Sequence, residues 1–107
     1  MTNKAARAGS GNVFADLQIP QPEQYLAKAE LAARILKVVQ QQNLTQQAAA
    51  KVLGINQPKV SALLNGRLDG FSSDRLFRFL NALGCDIRIT VSRPHPDTPG
   101  QVEVLSR

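Results

Sequence analysis

The chain has 107 residues and a net charge of +5 at pH 7, with a pI near 10; it is long enough for one domain with a buried core, not two. That balance favours an anionic partner, nucleic acid or a charged membrane surface. An aromatic content of 5% without Trp argues against a single-strand binder built on stacked bases.

Cys85 is the single cysteine, so no internal disulfide forms and a reducing compartment is expected. The opening MTNKAARAGSGNVFADL lacks an apolar signal-type run, and no stretch reaches the ~20 apolar residues of a membrane span. The expectation is a soluble, cytoplasmic protein with no membrane partner.

Residues 1–11 are small, polar and basic and read as a disordered leader. Residues 12–92 hold the domain, beginning with an arm in which Val13, Phe14, Leu17 and Ile19 tuck against it. A first helix is predicted from Pro22, suited to a first turn, with Leu31, Ile35, Val38 and Val39 on one stripe. Asn43 ends it in the left-handed conformation. Thr45 then caps a short second helix, QQAAAKVL, which Gly54 closes. Asn56 caps a third, QPKVSALLN, with Pro58 in its first turn, and Gly66 ends it. After the loop GRLDGF, Ser72 or Ser73 caps a fourth helix, with Leu76, Phe79, Leu80 and Leu83 as its buried face and Gly84 as its stop.

Beyond Gly84 the period changes. DIRITV alternates Ile87, Ile89 and Val91 with polar residues, the pattern of a half-buried strand. Residues 93–107 open with a proline-rich loop and end in QVEVL, a possible second strand. Two short strands make a marginal sheet alone, so pairing across a dimer interface is expected.

The stretch LTQQAAAKVLGINQPKVSALLNGR, Leu44 to Arg67, carries the chemistry. It contains no Asp or Glu, while Lys51, Lys59 and Arg67 make it locally basic. Ala49, Leu53, Ile55, Val60 and Leu63 are its apolar set. Two helices crossing at ~90–120° through a short turn come closest near their junction, where anything larger than Ala50 would hold them apart. Gly54 is required because the chain leaves the helix through a conformation costly for a residue with a Cβ.

Leu44-Thr45-Gln46, the small Ala50, Gly54-Ile55-Asn56 and Asn65-Gly66, at these spacings, resemble the helix-turn-helix of the Cro/repressor-like regulators, the XRE family. Over roughly Asn12 to Val91 the chain also resembles the small XRE antitoxins of the HigA type, typically encoded beside a RelE/HigB-like toxin and repressing their own operon. The resemblance implies a mainly α fold, a four- to five-helix repressor-like bundle followed by one or two short C-terminal β-strands. It also implies that the third helix lies in the major groove. On that basis Gln57, Pro58, Lys59, Ser61 and Ala62 contact bases, and Gln46, Lys51, Asn65 and Arg67 contact phosphate. Pro58 and Ala62 stand where long polar readers are frequent, so part of the selection is expected to be indirect. Leu64 replaces a frequent Glu.

Other features read more plainly. His95 sits between two prolines with no second His or neighbouring Cys, too few ligands for zinc. Cys85 has no His to activate it and reads as a small packing residue. Ser72, Ser73 and Asp74 form a helix start. With no nucleophile–base pair, phosphate-cradling loop or metal cluster, no enzyme activity, metal or cofactor is expected. The expected function is a sequence-specific, homodimeric repressor on a pseudo-palindromic double-stranded operator, acting as an antitoxin-type autoregulator. Two alternatives stand beside it: a module that mainly neutralises a RelE/HigB-like toxin, and a stand-alone XRE regulator without one.

Overall fold

The computed structural model describes residues 22–105. The leader 1–11 and the arm with Val13, Phe14, Leu17 and Ile19 lie outside the described residues. Four helices follow in order: α1 Pro22–Gln41, α2 Gln46–Leu53, α3 Gln57–Leu64 and α4 Ser73–Ala82.

Each boundary has a local cause. Thr45, Asn56 and Ser72 are the N-caps of α2, α3 and α4, each extended and each accepting a backbone N–H from three residues ahead. This satisfies one of the donors a helix start leaves open. All four helices close alike; in α2, Ile55 N–H reaches Ala50 O at 3.1 Å behind the left-handed Gly54, at φ 72. Leu44 N–H reaches Val39 O at 3.0 Å, Arg67 N–H reaches Ala62 O at 2.9 Å and Cys85 N–H reaches Leu80 O at 2.9 Å. In these three too, the residue before the donor is left-handed: Asn43 at φ 56, Gly66 at φ 77 and Gly84 at φ 94. This is the Schellman closure, which satisfies carbonyls at the helix end and reverses the chain.

The stripe Leu31, Ile35, Val38 and Val39 is buried, with Ala32 beside it. Ile35, Val60, Leu63, Leu68 and Leu76 are the largest fully enclosed side chains, drawn from α1, α3, α4 and the α3–α4 loop. α1 packs on α4 and α3, and α2 packs on α3 and touches α4. Gln42 Nε2 donates to Leu83 O at 2.8 Å, tying the ends of α1 and α4 together. The α3–α4 loop is itself an anchor. Its Leu68 and Phe71 are buried, and Phe71 meets Phe79 edge-on at 5.9 Å between ring centroids.

The C-terminal segment departs from expectation. Among the described residues no strand forms, and 85–95 and 99–105 run without regular structure. Ile87 and Val104 lie against the core, whereas Ile89, Val91, Val102 and Leu105 face solvent. The alternation predicted strands here. A strand exists by virtue of its partner's ladder, and within one chain neither segment supplies it. No helix among the described residues is long and apolar enough to cross a membrane.

Candidate nucleic-acid interface

The α2–turn–α3 unit is built from caps and small residues. Thr45 Oγ1 accepts from Ala48 N–H at 3.0 Å. At the other end Gly54, at φ 72, donates to Ala50 O at 2.8 Å. A Cβ built on Gly54 would meet nothing within 4 Å. The turn therefore selects Gly for its backbone conformation and not for space. Ala49 and Ala50 are buried where α2 meets its neighbours, and Leu53, Val60 and Leu63 seal the pair onto the core, with Ile55 half-buried at its edge.

This packing leaves one face of α3 to solvent. Gln57, Pro58 and Lys59 are exposed, Ser61 and Ala62 half-buried. Asn56 Oδ1 accepts from Lys59 N–H at 2.9 Å, and Pro58 has no N–H to give. Of the first three backbone positions of α3, only Gln57 therefore keeps an open donor. The α3 start offers side chains more than amides, which suits reading base edges over binding an anion.

The start of α2 differs. Gln46 and Gln47 are exposed, and Thr45 occupies only the Ala48 donor. Two backbone N–H groups at the positive helix end stay open, with two exposed amide side chains on the same turn, an arrangement matched to a phosphate. Gln47 was not singled out by sequence, although its position one residue after Gln46 was the available signal.

Lys51, Asn65 and Arg67 are exposed as well. Asn65 is partly committed, because its Nδ2 donates to Ser61 O at 2.8 Å and approaches Ser61 Oγ at 3.3 Å. It closes α3 and steadies Ser61, keeping its carbonyl oxygen open. Ala62 packs partly on the core, so little of it is left to touch a base. Leu64 packs there too, which accounts for an apolar residue late in α3. No carboxylate lies between Asn43 and Leu68, so the charged side chains of this stretch, Lys51, Lys59 and Arg67, are all cationic. Among the described residues no three His, Cys, Asp or Glu side chains gather as metal ligands.

The comparisons agree with this geometry. Residues 13–92 match the family model described as a helix-turn-helix domain. A solved structure named "Putative XRE Family Transcriptional Regulator" is 42% identical, at a TM-score of 0.76, over 82% of this chain and 100% of its own. No curated protein matches the chain. With its capped α2–turn–α3 unit, that family match and that likeness over the neighbour's full length, the chain belongs to the XRE family of helix-turn-helix proteins.

Proposed function

We propose that this chain is a sequence-specific repressor of double-stranded DNA, dimeric, and an antitoxin-type autoregulator of its own operon. The observation that carries the reading is the acid-free α3, whose exposed start presents Gln57 and Lys59, together with an α2 start whose Gln46 and Gln47 are exposed. Gln57 is suited to adenine N6/N7, and Lys59 to guanine or phosphate. Pro58 and Ser61 complete the surface toward the bases, to which Ala62 adds only the small part left outside the core. Gln46, Gln47, Lys51, Asn65 and Arg67 hold the backbone and set the register, without reading sequence. A two-fold dimer would set two α3 helices about 34 Å apart on a pseudo-palindrome.

The test is anisotropy of a labelled duplex from the region upstream of the chain's own gene against a scrambled duplex, at two salt concentrations. Preference for the upstream duplex that survives moderate salt is expected. Equal, salt-sensitive binding to both would contradict sequence-specific autoregulation.

A second reading, favoured by the solvent-facing Ile89, Val91, Val102 and Leu105, makes neutralisation of a RelE/HigB-like toxin the main role. Co-purification with the product of the adjacent gene, by a variant that no longer binds DNA, would favour it. A neighbouring gene of unrelated kind would leave a stand-alone regulator.

A further inference from the structure

We propose that Arg75 is a phosphate clamp, a second seat for the DNA backbone beside the α3 start; the inference rests on the DNA-binding reading above. A surface depression of about 220 Å³ is lined by Leu53, Gly54, Ile55, Arg75, Arg78 and Phe79. It lies immediately before the recognition helix, since Ile55 precedes the α3 cap Asn56.

Arg75 is held there by aromatic rings. Its guanidinium carbon lies 5.3 Å from the Phe71 ring centroid and 5.4 Å from that of Phe79. Both rings are buried, so the cation rests on a fixed surface. The guanidinium's one protein hydrogen bond among the described residues is long, 3.4 Å to Gly70 O. The ion pair of the described residues is Arg78 with Asp74, at 2.7 Å, which leaves Arg75 without a carboxylate.

A cation held this way has an unspent fork of N–H donors and little rotamer freedom left to lose. A phosphate accepts that fork bidentately. Arg78 adds charge at the rim, and its pairing with Asp74 neutralises it weakly because both side chains are 73% exposed. The position favours DNA phosphate over an acidic protein segment. A helix start seated in the major groove is flanked by phosphates, and this depression adjoins that start in the chain.

Two variants test the clamp, each measured on the upstream and the scrambled duplex across a salt series. Arg75→Gln is expected to weaken both duplexes by the same factor, about tenfold. Its slope of log K against log salt should be shallower by about 0.9. Asp74→Asn, which removes an exposed carboxylate and no core contact, is expected to tighten both duplexes. Unchanged affinity and slope in Arg75→Gln with wild-type melting overturns the clamp. If Arg75→Gln does not fold, Asp74→Asn decides: tighter binding supports the clamp and unchanged affinity overturns it. A wild-type chain that binds neither duplex overturns the proposed function and this inference with it. Wild-type binding with indifferent variants overturns this inference alone.

Discussion

Gln57 and Lys51 separate two jobs that charge alone would blur. Gln57 sits at the first position of α3 with its side chain exposed, whereas Lys51 stands on the outer side of α2. Gln57→Ala should cost ~1–3 kcal/mol on the specific duplex and relax selection at one base pair. Lys51→Ala should weaken specific and scrambled duplexes alike and flatten the salt slope by about 0.9. Competition binding against single-base-pair variants distinguishes them, and uniform loss in Gln57→Ala would remove it from the readers. The Gln57 position was legible in sequence because Asn56 and Pro58 mark a helix start by local chemistry. Arg75 was not, although Phe71, Arg75 and Phe79 recur every four residues. That spacing puts Arg75 and Phe79 on one face of α4, but it shows neither that the loop residue Phe71 folds back beside them nor that a depression opens beside α2. The depression depends on how α2 and α4 pack.

At the scale of the element, the turn between α2 and α3 is the sensitive point. Ala50 is buried at that junction, so Ala50→Leu should overpack it by ~1–3 kcal/mol. A lower and broader thermal melt is expected, and a wild-type melt would show that the crossing has room. Gly54→Ala probes a different cause. Space around a Cβ is free there, so only the left-handed backbone is penalised, by about 1–2 kcal/mol. Its unfolding midpoint in urea should fall with an unchanged m-value. If Gly54→Ala is neutral, the turn has relaxed to negative φ, and an altered α3 position should show as lost DNA binding. Caps and left-handed stops were readable because they depend on residues within a few positions of one another. The loop anchor of Leu68 and Phe71 was not, since GRLDGF resembles an ordinary glycine-containing loop until the core encloses both side chains.

For the whole molecule, the question is what the C-terminal segment does. The Cα radius of gyration is 16.0 Å, above the ~13 Å of a compact chain of about 100 residues. The extended residues after α4 are consistent with that excess. In a single chain Ile89 is 74% and Val91 90% exposed. Ile89→Lys with Val91→Lys should therefore shift monomer stability by no more than about ±0.5 kcal/mol per site. If the proposed dimer pairs these segments, the same double variant should sediment as a monomer and lose affinity for a two-half-site operator. A double variant that remains dimeric would place the interface elsewhere.

Helix boundaries, the buried stripe of α1, the Gly54 turn and the cationic stretch from Asn43 to Leu68 were determined by sequence alone. Each rests on interactions between near neighbours or on a periodicity that one helix imposes. The burial of Leu68 and Phe71, the partial loss of Ala62 to the core and the aromatic seat of Arg75 were decided only by tertiary structure. So was the unpaired state of Asp86–Val91. Alternation reports which side chains would share a face, but a strand also needs a second backbone at hydrogen-bonding distance, and nothing within the segment supplies one.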